Sequence, residues 1–343
     1  MNKIFLHSTY LCNANCIHCA VPKNKNSILF EDYKNLVNTA SEEGLEFMII
    51  GGGEPLIHKN LEDMIIYGSE KKLKMKIETN GNLLTRRFLN SMKPYLFQIN
   101  VSLDGVNDKT HDSIRNIQTF NHTTEMISYA REIGIDVAIW SVIMNNNITE
   151  SNRLIDLAEK LGVNKVSFLY STPVGSCFNN REELLVNINE YYPVMKKLYN
   201  KSNVQVRIAP YVVPFDKRDD FSTEVDREIL KTDCMIYDKT SIQIDPLGNI
   251  YPCVLLLSRE DYKLGNIKDE QTFRNILRGT GFSWNTLLKK LKTQMNESKK
   301  EGYTKTGCMG LTAQFKTKID PRLNEGYILC PCRTINREWS FVS

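Results

Sequence analysis

At 343 residues, 41% hydrophobic and 24% charged, the chain has the make-up of a soluble globular protein with room for one large domain and a smaller one. The net charge of +4 is small and the Lys and Arg are spread along the chain, which gives no electrostatic case for nucleic acid or a membrane surface. Leu11-Cys12 faintly imitates a lipoprotein signal, but the apolar run Ile4–Leu6 breaks at His7 and Ser8, short of the roughly 7–15 apolar residues a secretory core needs. No run approaches the ~18 residues of a membrane span, so the expectation is a cytoplasmic protein.

In chain order, β-rich runs at Lys3–Leu11, Glu46–Ile50, Lys74–Glu78, Gln98–Ser102, Asp136–Ile143 and Lys165–Leu169 alternate with amphipathic stretches. The helical stretches are Phe30–Glu43, Leu61–Lys71, Asn121–Gly134, Glu150–Gly162 and Asn180–Tyr199, two of which stop at a glycine. Strands and helices in series imply a parallel sheet with right-handed crossovers. Six units fall short of the eight that close a barrel, so the expected α/β fold is an open, partial (β/α)6 TIM-like barrel over residues 1–205. Residues 206–343 read as a smaller C-terminal domain, with a hairpin over Ser241–Asp245 and Ile250–Cys253 and a charged helical segment over Asp269–Lys300.

Sheets of this kind place chemistry at the C-terminal ends of their strands. There the first strand runs into Cys12, the second into Gly51-Gly52-Gly53-Glu54-Pro55, the third into Thr79-Asn80-Gly81 and the fourth into Ser102-Leu103-Asp104-Gly105. Four neighbouring loops with unusual residues meet on one rim, and that agreement says more than any single motif.

The cysteines are the most informative residues. There are nine, an odd number: Cys12, Cys16, Cys19, Cys177, Cys234, Cys253, Cys308, Cys330 and Cys332. A secreted disulfide scaffold is shorter and evenly paired, so clustered thiolates point to metal or cluster ligands. In Cys12-Asn-Ala-Asn-Cys16-Ile-His-Cys19 three thiols share one loop. Zinc is the alternative, but its sites usually draw four ligands from two separated knuckles. Three ligands on a [4Fe–4S] cube leave one iron open.

At this triplet the chain resembles the radical S-adenosylmethionine superfamily, whose signature is Cys-x3-Cys-x2-Cys with an aromatic-like residue, here His18, before the last cysteine. The resemblance spans essentially the whole chain. It implies that the open iron is chelated by S-adenosylmethionine, which yields a 5′-deoxyadenosyl radical on reduction, and that a low-potential donor of the flavodoxin or ferredoxin type supplies the electron. Gly51, Gly52, Gly53 and Glu54 match the family's glycine-rich segment, where missing Cβ atoms let backbone approach the cofactor. Asn80 and Ser102 stand where family members contact it. Asp104 and Arg115 read either as cofactor contacts or as a structural pair, and Glu78 as a further polar contact or a strand-end residue.

Beyond the barrel, Cys234, Cys253, Gly307-Cys308-Met-Gly310 and Cys330-Pro-Cys332 resemble the superfamily's SPASM or twitch extension, which carries auxiliary iron–sulfur clusters. Five cysteines imply one auxiliary cluster, held by Cys234, Cys253, Cys308 and one of Cys330 or Cys332. The alternative for any one of them is an inert buried thiol. Cys177, after the sixth strand, is either a hydrogen-atom donor to a substrate radical or an ordinary packed thiol.

The SPASM-like extension directs the functional expectation to hydrogen abstraction from a precursor peptide or protein: crosslinking, epimerisation or oxidation. Sulfatase-type Cys or Ser oxidation stands between this and a small-molecule substrate, and the reduced cysteine count weighs against it. With the first strand at the start of the chain, no leader-binding domain is expected ahead of it, and a separate protein or direct binding would serve. Two alternatives stay open: dehydrogenation of a small molecule such as an aminoglycoside alcohol, and a non-catalytic metal-binding protein.

Overall fold

The computed structural model describes residues 1–198, 204–209, 211–214, 236, 239–300 and 326–329. Cys234, Cys308, Cys330 and Cys332 lie outside the described residues, so the expected auxiliary ligands other than Cys253 receive no structural account.

The sheet is built from β1 (Lys3–Thr9), β2 (Phe47–Gly52), β3 (Lys74–Thr79), β4 (Leu96–Ser102), β5 (Val137–Ile143), β6 (Lys165–Tyr170) and β7 (Gln205–Ala209). All seven run parallel in sequence order. Among the described residues the sheet stays open, with β7 at one edge. Packed against one face are α1 (Phe30–Glu42), α2 (Leu61–Glu70), α3 (Arg86–Met92), α5 (Phe120–Glu132) and α6 (Ser151–Lys160), while α4 (Asp108–Arg115) lies beside α5 with its Ile114 in a separate small cluster. Among the described residues, no helix is long and apolar enough to cross a membrane.

Strand alternation decides which face the helices cover. Ile4, Leu6, Met48, Ile50, Met75, Ile77, Ile99, Val101, Ile139 and Phe168 enter one core with Leu36, Val37, Ile65, Leu89, Ile127 and Leu154 of the helices. The intervening residues, among them His7, Gly51, Glu78 and Asn100, belong to the opposite, inner face.

Two helices escaped the sequence reading. α3 is only seven residues, capped by the Thr85 hydroxyl on Phe88 N at 3.1 Å, and α4 is strongly charged with Asn107 as its cap. Both are too short or too polar to show a clear apolar stripe. The helix expected over Asn180–Tyr199 is instead two, α8 (Arg181–Leu184) and α9 (Ile188–Leu198), preceded by the single turn α7 (Ser176–Asn179). Between α8 and α9 the buried residues Leu185 and Val186 are bound from outside: Asn145 Nδ2 donates to Leu185 O at 3.0 Å and Tyr170 Oη to Val186 O at 2.8 Å. Those bonds satisfy carbonyls that a continuous helix would have used itself.

β8 (Tyr211–Pro214) pairs with β12 (Gly326–Leu329) in a separate two-stranded ladder. The expected hairpin is β9 (Ser241–Ile244) and β10 (Asn249–Tyr251), closed by Asp245, whose Oδ1 accepts from Leu247 N and Asn249 N at 2.9 Å each. The short β11 (Gly265–Asn266) pairs with β10. β9 also lies parallel to β1, pairing Lys3 with Ser241 through Leu6 with Ile244, so the hairpin extends the barrel sheet to ten strands. The charged segment after it forms two helices, Glu270–Leu277 and Phe282–Lys300. Arg274 and Arg278 at the first of these reach Glu42, the last residue of α1, and Glu43 just after it at 2.6–3.0 Å.

Because Ile244 is fully buried in the common core, Ile244→Ala should cost about 2–5 kcal/mol. In urea the hairpin should melt together with the barrel, as one transition at a lower midpoint. A separate early transition confined to the C-terminal part would contradict the shared sheet.

Candidate active site

The loop after β1 holds the three thiols and is fastened on every side by backbone. Tyr10 N donates to Asn26 O and Ile28 N to Ser8 O at 2.9 Å each, which closes the loop at its base. Gly53 N donates to Thr9 O and Glu54 N to Leu11 O at 2.8 Å, tying it to the end of β2. Ile17 N bonds Ile114 O of α4 at 3.1 Å, and Asn180 Nδ2 bonds Ile17 O at 3.0 Å. Ser176 N bonds Cys19 O at 2.8 Å. Two glycines permit these approaches. A Cβ on Gly53 would collide with the Leu11 carbonyl, and one on Gly175, at φ +57°, with the Cys19 carbonyl.

Cys12 is exposed, Cys16 buried and Cys19 half-buried. Donors are aimed at their sulfurs: Ala14 N on Cys12 Sγ at 3.4 Å, Asn80 Nδ2 on Cys12 Sγ at 3.9 Å, and Arg115 Nη1 on Cys16 Sγ at 3.8 Å. Burial pushes the Cys16 thiol up, and the Arg115 guanidinium works against it. The N–H donors at Cys12 and the cation at Cys16 oppose that push and favour the thiolate, the form that binds iron, while Cys19 Sγ donates to Val21 O at 3.9 Å. The donor set therefore fits an iron–sulfur cluster that Cys12, Cys16 and Cys19 would hold. Among the described residues, no three His, Cys, Asp or Glu side chains converge tightly enough for a single metal ion.

Glu54 is fully buried, and all of its hydrogen bonding is internal. Its Oε1 accepts from Thr79 Oγ1 at 2.8 Å and Leu56 N at 3.1 Å, and its Oε2 from Asn80 N at 2.8 Å. The structure thus gives it a different task from the cofactor contact expected of it: it joins the ends of β2 and β3. Burial pushes its carboxyl up to about 7 against the pull of those donors. Asn80, positioned by that bond, reaches Asn13 Oδ1 at 2.8 Å as well as Cys12. Ser102, half-buried, closes β4 opposite Trp140.

Asp104 and Arg115 form a buried ion pair, Nε to Oδ2 at 2.6 Å. Burial pushes the Asp104 carboxyl up, but Arg115 and the adjacent His18 and His111 outweigh it and hold it below the usual range. Oδ1 also accepts from Val142 N at 2.7 Å. His18 lies 3.9 Å from Asp104, but burial holds its own pKa at about 4, so this contact is not a charge pair at neutral pH. The pair therefore acts on the site through Cys16. Asn147, which the sequence reading did not single out, completes the arrangement by donating to Asp104 O at 2.9 Å and Val142 O at 2.8 Å. Its position in the Asn run just past β5 was the signal available.

Cys177 is fully buried in an apolar cluster with Ile114, Met144, Leu184 and Leu185. Its neighbours Gly175 and Ser176 meet the cysteine loop, while its own thiol packs behind it. That burial agrees with the packed-thiol alternative for Cys177. Cys253, also buried, follows β10 and enters the main core.

Two outcomes are expected of the protein without its cluster. Asp104→Asn leaves Arg115 buried without a counter-charge, and should lower stability by about 3–5 kcal/mol in urea; an unchanged midpoint would refute the pair's importance. Glu54, raised when folded, binds its proton more tightly folded than unfolded. Its contribution is therefore full below about pH 4.5 and falls as pH rises towards about 7. The stability difference between wild type and Glu54→Gln should shrink across that window by about 3 kcal/mol, a comparison in which the histidines cancel.

Comparison with known proteins agrees with this geometry. The family model "Radical SAM superfamily" matches residues 6–161, and that of the SPASM "Iron-sulfur cluster-binding domain" matches 234–305. The AdoMet-dependent heme synthase of Methanosarcina barkeri is 24% identical, over 77% of this chain and 78% of its own. The antilisterial bacteriocin subtilosin biosynthesis protein AlbA of Bacillus subtilis is also 24% identical, over 76% of this chain and 56% of its own length. Streptococcus suis SuiB bound to precursor peptide SuiA shares the fold, with TM-score 0.65 and 15% identity over 80% of this chain and 64% of SuiB. With the triplet loop at the head of an open parallel sheet, residues 6–161 are a radical S-adenosylmethionine domain and residues 234–305 match a SPASM domain, which assigns the protein a [4Fe–4S] cluster, S-adenosylmethionine and an auxiliary iron–sulfur cluster.

Proposed function

We propose that the chain abstracts hydrogen from a side chain of a peptide or protein, as the first step of a crosslink, epimerisation or oxidation. When bound, the cluster and S-adenosylmethionine supply the electron and the 5′-deoxyadenosyl radical. Cys12, Cys16 and Cys19 would hold three irons. The backbone of Gly51, Gly52 and Gly53 and the side chains of Asn80 and Ser102 would seat the nucleoside and methionine portions, and Asp104 would steady Arg115 against Cys16. An electron donor of the flavodoxin or ferredoxin type would serve the cluster. For the auxiliary cluster the proposed ligands are Cys234, Cys253, Cys308 and one of Cys330 or Cys332.

The open sheet carries this reading. Among the described residues its parallel strands do not close on themselves, which suits a polymer reaching the inner face from the side. The precursor peptide bound to SuiB and the bacteriocin pathway of AlbA support it. A second reading, a small-molecule substrate, is favoured by the similarity to the heme synthase across most of both chains.

Anoxic reconstitution with iron and sulfide should load about eight irons per chain, two cubes. With dithionite and S-adenosylmethionine, 5′-deoxyadenosine should form, and Cys16→Ser should abolish it. Incubation with short peptides encoded beside the gene should then shift a peptide mass. Peptides left unmodified while a tetrapyrrole is consumed would favour the second reading instead.

A further inference from the structure

The inner face of the sheet carries a row in which three polar side chains, His7, Glu78 and Asn100, are not used by the cofactor seat proposed above. Register sets the row: His7 of β1 pairs with Gly51 of β2, and Glu78 of β3 pairs with Asn100 of β4. Ile50 pairs with Ile77, so Gly51 stands beside Glu78 and the four positions cross the sheet at one level. Strands about 4.8 Å apart place Glu78 and Asn100 side by side, with His7 two strands away.

In this row three buried atoms have no hydrogen-bond partner among the described residues: His7 Nδ1, Glu78 Oε1 and Asn100 Oδ1. His7 is 8% exposed and Asn100 6%. Buried polar atoms in folded proteins are nearly always paired, so three in one row point to a ligand. All three are acceptors. Asn100 Oδ1 and an ionised Glu78 oxygen have only lone pairs to offer. At His7, the neighbouring Nε2 faces Gln243 Oε1 at 3.1 Å. Donation to that oxygen leaves Nδ1 without a proton. Burial holds the His7 ring neutral, which suits this tautomer.

Gly51 lets the row converge. A Cβ there would lie 3.1 Å from Glu78 Oε2 and 3.3 Å from Glu78 Cβ, so the glutamate side chain lies over the space that Gly51 leaves empty. Burial pushes the Glu78 carboxyl up to about 7, with Asn100, Arg207 and Lys76 opposing. A bound cation would hold it ionised.

We propose that His7, Glu78 and Asn100 form a substrate subsite for a group rich in N–H donors, a guanidinium or ammonium, and select against carboxylates. This deepens the peptide reading and, as a peptide subsite, rests on it: the group would belong to an Arg or Lys side chain near the residue attacked.

Calorimetric titration of the reconstituted enzyme with S-adenosylmethionine tests the subsite. The probes are three acetylated, amidated pentapeptides, Gly-Ala-Xaa-Ala-Gly with Xaa Arg, Leu or Glu, and free agmatine. The Arg peptide should bind about tenfold or more tighter than the Leu and Glu peptides, the range expected of hydrogen bonds to a charged group. Glu78→Gln, close in shape, and Asn100→Leu should each remove most of that preference. Gly51→Ala, which displaces the carboxylate, should do the same; circular dichroism of each variant checks folding. Equal binding of all three peptides, or a preference for Glu, overturns the subsite while leaving the peptide reading in place. Agmatine binding that is lost in Glu78→Gln, with no peptide bound, upholds the subsite and overturns the peptide reading.

Discussion

The geometry of the cysteine loop depends on one buried carboxylate. Glu54 accepts from Thr79, Asn80 and Leu56, and its own amide bonds Leu11 beside the first thiol. The ends of β1, β2 and β3 are thereby joined through a single residue. Burying a carboxylate without a counter-ion is costly, and the raised pKa of Glu54 records that cost. Three donors on two oxygens offset it and leave the group no freedom to turn. Asn80 then meets Cys12 from a fixed position instead of a mobile one, which is the preorganisation a multi-ligand site needs.

The other side of the loop is held by different physics. There Asp104 and Arg115 pair in a fully desolvated setting, where the attraction is strong and the loss of one partner leaves an exposed cost. Arg115 divides its guanidinium between the carboxylate and Cys16, as its planar fork of donors allows. Behind it, Ile114, Met144, Cys177, Leu184 and Leu185 form a small apolar wall. A carboxylate hub on one flank and an ion pair against an apolar wall on the other let the loop project sulfur without collapsing onto the sheet.

Much of this was legible in the sequence, and the parts that were not have physical reasons. The six strands stood out because their helix-facing positions are apolar at period two, and the thiol triplet because its spacing is rare outside metal sites. Glu54 was legible as important but not as internal: a motif shows that a carboxylate is present, and only the fold shows that Thr79 and Asn80 consume it. The α3 and α4 helices were hidden by short length and high charge. The joining of β9 to β1 was hidden because it pairs residues more than two hundred positions apart, and no local pattern encodes that register. At Cys177 the sequence left two readings open, because its neighbours do touch the site while a one-residue step in a helical turn sends its own side chain into the core.

The composition of the two sheet faces bears on what the enzyme is built to do. Parallel strands are ordinarily buried on both sides and read as unbroken apolar runs. Here β3 reads Lys74-Met75-Lys76-Ile77-Glu78-Thr79, apolar only towards the helices. At the base of the inner face, Lys76 and Lys165 find partners in Gln98 and Asp136, and Lys74 and Lys76 lie over the rings of Phe47 and Phe97. That lower layer is satisfied and closes the floor. The layer above it, nearer the cysteine loop, is where His7, Glu78 and Asn100 keep atoms without a hydrogen-bond partner among the described residues. Stability alone would have filled both layers with aliphatic side chains; a polar layer, satisfied below and unsatisfied above, places the unmet hydrogen-bonding capacity beside the reactive end of the sheet.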